Sequence, residues 1–327
     1  MQYTEELKRV IFGYGNDVLR YLSGDMSDYV YCAQHSEELG TFDKNYANRT
    51  RLCYALYYNV SEVPDKIALV RGLFIEELKD RETNSLQGIG DNLEILTSML
   101  IELGEPSDSE LFGRAKNANF DCACGYEPHV IKPTPLDEFS PYDCINTLSD
   151  FGETELVCKL TDGFKSGELD LKALRELRSI AEWCTKRQVD KEFAVKKIYG
   201  IFQSSPELFD RSEAFKALYD YAEMLLEKGA TESALSVYNE HKETLVCYKR
   251  KFYTLGAELI ARGADTPERI WTDILPHIDA DMKNGMVAPI NRDIMLAAAE
   301  RAGDIKMMKR LRKYFDKKET ELRKLFD

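Results

Sequence analysis

Apolar residues recur at helical spacing along most of this chain. Leu7, Val10, Ile11, Tyr14, Val18 and Leu19 form one stripe over residues 4–22. Thr4 followed by two acids predicts its start, and Gly24 its stop. Mostly helical spacing also covers 29–38 and 46–58. Ser61-Glu-Val-Pro64-Asp65 predicts another start, with Ile67, Leu69, Val70, Leu73, Phe74 and Leu78 as the apolar set. Segments 92–103 and 109–118 follow. From Tyr142 to the end the reading is helical again, with long segments at 170–187, 191–202 and 206–228. Ser205-Pro206-Glu207 and Thr266-Pro267-Glu268 read as helix starts: a capping hydroxyl, proline at the first helical position, then an acid. No succession of alternating strands bounded by hairpin turns is present, so the pattern predicts an all-α protein.

The pattern is interrupted once. Pro128, Pro133, Pro135 and Pro141 lie within fourteen residues. Proline lacks an amide donor and pushes the preceding residue out of the helical region. The expected organisation is an N-terminal helical domain over 1–117, an irregular connection over 118–143 and a C-terminal helical domain over 144–327. The connection carries Phe120, Tyr126, Val130, Ile131, Leu136 and Phe139. So many apolar groups predict that it lies against the body.

One phrase repeats at a spacing of 34 residues. Tyr219-Asp-Tyr-Ala-Glu-Met-Leu-Leu-Glu-Lys-Gly-Ala230 is matched by Tyr253-Thr-Leu-Gly-Ala-Glu-Leu-Ile-Ala-Arg-Gly-Ala264. A period of that length marks helix pairs too thin to bury their own apolar faces, which therefore stack. Gly229 and Gly263 are the expected helix stops, because glycine tolerates left-handed geometry. A third phrase, Leu296-Ala-Ala-Ala-Glu-Arg-Ala-Gly303, comes later at a looser spacing. Leu100-Ile-Glu-Leu-Gly104 is a faint echo upstream.

This stretch resembles the tetratricopeptide repeat, best over residues 219–272. Ala222 stands at the small position, followed by Leu225, turn glycine Gly229, Ala234 and the aromatic Tyr238. The second unit keeps Gly256, Leu259 and Gly263, then departs, with Glu268 and Thr272 at the last two places. The resemblance implies an α-solenoid of stacked antiparallel helix pairs, whose concave face binds peptides or protein surfaces without catalysis.

Charge adds a direction. The net charge is −13, which argues against general nucleic-acid binding. Residues 306–327 carry nine Lys/Arg and four Asp/Glu, a local +5 that leaves −18 on residues 1–305. The last helix thus reads as a basic cap, with Met308, Leu311, Phe315 and Leu322 packed inward. The acidic body suits a basic protein partner, against the plainer alternative that it only maintains solubility. No apolar run approaches the roughly 18–20 residues of a membrane span. The N-terminus lacks a basic region followed by an apolar one, so the expectation is a cytoplasmic protein with reduced thiols.

Chemical motifs are sparse. Asp121-Cys122-Ala-Cys124-Gly-Tyr-Glu-Pro-His129, with Cys144 further on, offers thiolates and one imidazole as candidate metal ligands. The spacing matches no common zinc fold, so these read as packing or turn residues, and no metal or cofactor is expected. Cys32 and His35 fall on one face if 29–38 is helical, within a buried stripe. No His-Glu-x-x-His or Gly-x-Ser-x-Gly is present, and Gly88-Ile-Gly90 follows no strand. Tyr57 and Tyr58 are candidate partner-binding anchors, because tyrosine joins a large apolar body to a polar tip. The plainer reading puts Tyr54, Leu56 and Tyr58 in the core. The expected function is a non-catalytic protein-binding solenoid: a cytoplasmic immunity or inhibitor protein, or an adaptor, that recognises a basic partner. The alternative is an enzyme or metal protein built on the Cys122–His129 segment.

Overall fold

A computed structural model describes residues 3–36, 40–59, 63–84, 88–103 and 108–326, with side chains through 321. Ser61, Glu38 and Gly104, and the side chain of Leu322, lie outside the described set. Helices dominate, as the periodicity predicts. The chain forms two compact units: residues 1–168 with 182–186, and residues 169–181 with 187–327.

The first unit contains α1 (Tyr3–Gly13), α2 (Gly15–Leu22), β1 (Ala33–Ser36), β2 (Gly40–Asp43), α3 (Tyr46–Tyr58), α4 (Lys66–Thr83), α5 (Asp91–Leu103), α6 (Ser109–Lys116), α7 (Phe120–Gly125), α8 (Pro141–Asp150) and α9 (Thr154–Lys165). The stripe over 4–22 is divided at Tyr14, between two weakly helix-forming glycines. The helical reading of 29–38 is corrected. Residues 33–36 pair antiparallel with 40–43, in the register Ala33 to Asp43. Asp43 fixes this hairpin by accepting the Cys32 and Asn45 amides at 2.9 and 3.0 Å. Tyr29 is buried, but Cys32 and His35 are exposed, so the expected buried stripe is absent there.

A buried ionic network ties β2, α3, α4 and α5 together. Arg49, with no exposed surface, meets Asp43 at 2.5 Å and Glu77 at 2.9 Å. Arg81 meets the other Glu77 oxygen at 3.2 Å and also pairs with Asp80. Asn92 donates to Thr50 Oγ1 and to Glu77. The Tyr46 ring lies 5.9 Å from the Arg49 guanidinium carbon and 5.5 Å from that of Arg81. In low dielectric such charges persist only because they are mutually paired and hydrogen-bonded.

The proline-bearing segment lies within the first unit. It folds as α7, an extended run and a short 3-10 turn at Leu136–Glu138. Tyr126 is fully buried, while Phe120 and Val130 are 71% and 77% exposed. The segment therefore docks through only part of its apolar set.

The second unit contains α10 (Leu171–Ser179), α11 (Gln188–Ser204), α12 (Arg211–Glu227), α13 (Thr231–Glu240), α14 (Lys242–Leu245), α15 (Lys249–Ala261), α16 (Pro267–Lys283), α17 (Arg292–Arg301) and α18 (Ile305–Phe326). A π-helical turn, Ile180–Cys184, follows α10. The start expected at Ser205 is corrected: Pro206–Leu208 is a separate 3-10 turn. Asp210 caps α12 through a capping box with Glu213. Thr266 does precede a proline-led helix, but its side chain makes no cap bond.

Successive helices pack in a regular way. Helix α12 packs on α13 and α15, α15 on α16 and α17, and α17 on α18. Gly229, Gly263 and Gly303 have φ of 72°, 88° and 72°. Each closes its helix with the same pair of bonds. After α12 these run from Ala230 N to Leu225 O at 2.9 Å and from Gly229 N to Leu226 O at 3.0 Å. Tyr238, the repeat aromatic, stacks on Phe252 at 5.2 Å. In α18 the buried set is Met307, Leu311 and Phe315, with Met308 only partly covered.

Candidate functional site

Three helices of the first unit each turn one polar stripe toward a common hollow. On α3, Tyr54 and Tyr58 are one turn apart. On α5, Asp91, Glu94 and Ile95 share a face, and on α8 so do Asp143, Asn146, Thr147 and Asp150. These offsets of three, four and seven residues are what align side chains along a helix. Pro133, Thr134 and Phe139, from the segment before α8, close another side. Ser140 caps α8 in a box with Asp143, and Pro141 occupies its first turn, which fixes where Asp143 points. The hollow has a volume of about 250 Å3, with an adjoining lobe of about 120 Å3.

Its walls are aromatic and its charge is negative. Tyr54 donates to Asp91 Oδ2 at 3.1 Å, and its ring meets Phe151 edge-on at 5.0 Å. Tyr58 donates to the Thr134 carbonyl at 2.7 Å, and its ring lies 5.6 Å from that of Tyr54. Burial drives the Tyr54 and Tyr58 hydroxyls upward in pKa, so both are neutral donors. Among the described residues, Asp91, Glu94, Asp143 and Asp150 have no lysine or arginine at ion-pair distance. The Asp150 carboxyl is pushed up to about 6 by loss of solvation and then by Asp91. Glu94 is raised for the same two reasons, in the same order. Asp91, Asp143 and Asp150 are exposed and Glu94 is half-buried, so the carboxylates are reachable from solvent.

A hollow with unneutralised acids and aromatic walls favours a cation. Among the described residues no three His, Cys, Asp or Glu side chains are grouped as metal ligands. The acids therefore line a space rather than converge on a point, which suits the ammonium or guanidinium of an organic ligand better than a bare ion.

The residues singled out from sequence are dispersed. Cys122 is buried in α7, its thiol 3.7 Å from the Gly88 carbonyl and raised in pKa by burial. Cys124 and His129 are exposed, and Cys144 is buried in α8, its thiol pushed up to about 11 by burial. Tyr58 lines the smaller lobe. Tyr57 is half-buried and stands edge-on to Tyr58 at 4.7 Å. Sequence reasoning missed the four acids. Their signal was present as helical spacing within α5 and α8, but nothing local says that those two helices face each other.

The second unit has its own hollow of about 200 Å3, lined by Arg175, Arg178, Ile198, Glu213, Lys216, Ala217 and Asp220. There both acids are paired: Arg175 meets Glu213 at 2.5 Å and Arg178 meets Asp220 at 2.7 Å, which leaves Lys216 as the excess charge. It offers a ligand much less uncompensated charge. Comparison with known protein families, with curated proteins and with solved structures finds no match to this chain.

Proposed function

We propose that this is a non-catalytic protein-binding helical protein that recognises a basic segment of its partner, and that the first-unit hollow receives a cationic side chain from it. The observation that carries this reading is four carboxylates around an aromatic-walled cavity with no lysine or arginine beside them. The main lobe, about 250 Å3, has room for one long basic side chain. An immunity or inhibitor protein covering a basic enzyme falls within this reading, and so does an adaptor.

The second unit is read as a tetratricopeptide-like stack. Three turns share one left-handed glycine geometry. Arg262, one period after Lys228, reaches back to donate to the Leu226 carbonyl at 3.0 Å. A cation at a helix C-terminus satisfies an orphan carbonyl and the helix dipole together. The Asp265 amide donates to Glu232 of the preceding repeat at 3.4 Å.

Binding of hexalysine, hexaarginine and neutral glycine-serine peptides tests the reading. The basic peptides should bind and the neutral one should not. The Asp91→Asn/Asp150→Asn variant should weaken binding at least about tenfold, the order expected for removing charge-assisted contacts. Salt should slow association more than it speeds dissociation. Tyr58→Ala should raise the dissociation rate. Equal binding of basic and neutral peptides, or an unaffected double variant, would remove the proposal.

A further inference from the structure

We propose that α18 docks the protein, peripherally and reversibly, on an anionic lipid surface through a stripe of unpaired bases on its solvent face. The stripe lies wholly in the second unit and does not draw on the hollow of the first.

Residues 306–313 hold Lys306, Lys309, Arg310, Arg312 and Lys313 and no acid. All five bases are exposed, on about 10 Å of helix axis. Offsets of three, four and seven residues put Lys306, Lys309 and Lys313 on one face. Offsets of four and seven from Ile305 set Lys309 and Arg312 beside it. Ile305 is 49% exposed and stands among these bases. The opposite face buries Met307, Leu311 and Phe315, and Tyr314 donates to the Val287 carbonyl at 3.1 Å. Packing therefore fixes which face of α18 is outermost.

The charge of this stripe is not spent within the protein. Arg310, on its flank, meets Asp279 at 2.5 Å. Among the described residues Lys306, Lys309, Arg312 and Lys313 have no carboxylate at ion-pair distance. The acids of α18 are held by other bases: Asp316 and Glu319 by Arg292, Glu321 by Lys317 and Lys318. Asp304 accepts the Met307 amide at 2.9 Å and Trp271 Nε1 at 3.1 Å. Four bases thus act together on whatever meets the face. An anionic bilayer fits it: the charge is complementary, the plane suits the convex side of one helix, and the interface takes Ile305 while the lysine stems snorkel. A single strand of nucleic acid calls for exposed rings on which bases stack, and residues 305–313 contain no aromatic. The −18 on residues 1–305 is repelled by the same membrane. Attachment therefore holds only with the stripe facing the lipid, within a Debye length of about 8 Å.

Vesicle flotation with the full chain tests this, using phosphatidylcholine alone and phosphatidylcholine mixed equally with phosphatidylserine. At low salt the mixed vesicles should be bound and the neutral ones should not. Raising salt to about 1 M, where the Debye length is about 3 Å, should release the protein. Each base near such a surface is worth about fivefold in partitioning, so Lys309→Gln/Lys313→Gln should lose about 25-fold. Lys196→Gln/Lys197→Gln removes the same charge from the exposed surface of α11 and should leave binding close to wild type. Ile305→Ser should weaken vesicle binding while leaving the charge unchanged. Circular dichroism establishes that the variants are folded. Equal binding to both kinds of vesicle, binding to neither, or a Lys309→Gln/Lys313→Gln variant that behaves as the α11 control overturns the proposal. Polyglutamate or duplex DNA bound as tightly as the mixed vesicles overturns the assignment to lipid.

Discussion

Gly256→Ala should destabilise the second unit, although alanine is the better helix former. Gly256 lies in α15, where α15 crosses α16. A Cβ placed there would sit 2.6 Å from Ile274 Cγ2 and 3.3 Å from Ile270 Cγ2. Both neighbours are β-branched, with one strongly preferred rotamer in a helix, so their methyls cannot swing aside cheaply. Overpacking of this kind costs about 1–3 kcal/mol. The propensity gain from glycine to alanine returns about 1 kcal/mol, leaving a net loss of about 0–2 kcal/mol. Gly200, exposed in α11, is the matched control. Its added Cβ would meet nothing within 4 Å, so Gly200→Ala should stabilise by up to about 1 kcal/mol. Urea unfolding followed by circular dichroism should therefore move the two midpoints in opposite directions. Ile274→Ala deletes the clashing methyl. On that background the Gly256→Ala penalty should vanish, a coupling of about 1–3 kcal/mol. If Gly256→Ala raises the midpoint as Gly200→Ala does, the close α15–α16 contact is wrong. The reading of Ala222 and Gly256 as the small residues of a repeat then goes with it.

Other perturbations probe different parts of the molecule. Gly229→Val and Gly263→Val force a β-branched residue into left-handed backbone, and each should cost on the order of 1 kcal/mol or more; unchanged thermal midpoints would refute the turn assignment. Arg49→Met leaves Asp43, Glu77 and Asp80 around a missing cation and should cost about 3–5 kcal/mol in urea unfolding, with an unaltered midpoint counting against the network. Asp150 has a folded pKa raised above its unfolded value, so its favourable contribution is complete below about pH 4 and is lost as pH rises through about 6. Asp150→Asn should accordingly flatten the stability profile between pH 4 and 6 and raise the thermal midpoint at pH 7.5, by an amount reduced by solvent screening; a steeper profile would refute the sign.

The helical architecture was legible because its signals are local. Leu69, Val70, Leu73, Phe74 and Leu78 are all buried in α4, as their spacing requires. Gly229 and Gly263 end helices because no other residue adopts that geometry without cost. The hairpin at 33–43 was not legible. Its strands are four residues each, β1 mostly exposed and β2 mostly half-buried, and no apolar alternation marks them. What holds it is Asp43, whose partners include Arg49 in the next helix. The run Glu76-Glu-Leu-Lys-Asp-Arg-Glu82 posed a similar difficulty. It reads as a solvated face, yet Glu77, Asp80 and Arg81 are buried, because acid and base neutralise one another only in the folded arrangement.

The same distinction explains why the cavity, rather than the repeat surface, carries the functional reading. Outside the basic stripe of α18, charges across the second unit are largely matched from one helix to the next. Lys228 pairs with Glu192, Lys242 with Asp273, Arg250 with Asp281 and Arg310 with Asp279. Such exposed pairs contribute little stability, but they leave little local field to attract a ligand. Around the first-unit hollow the acids stand without such partners, and two of them are raised in pKa, first by loss of solvation and then by Asp91. A net charge spread evenly would raise solubility and nothing more. Concentrated between aromatic walls, it acts on a ligand twice: at long range it draws a cation in, and at short range its own repulsion is relieved when the cation arrives. A basic partner would thus gain binding energy from strain that the free protein already holds.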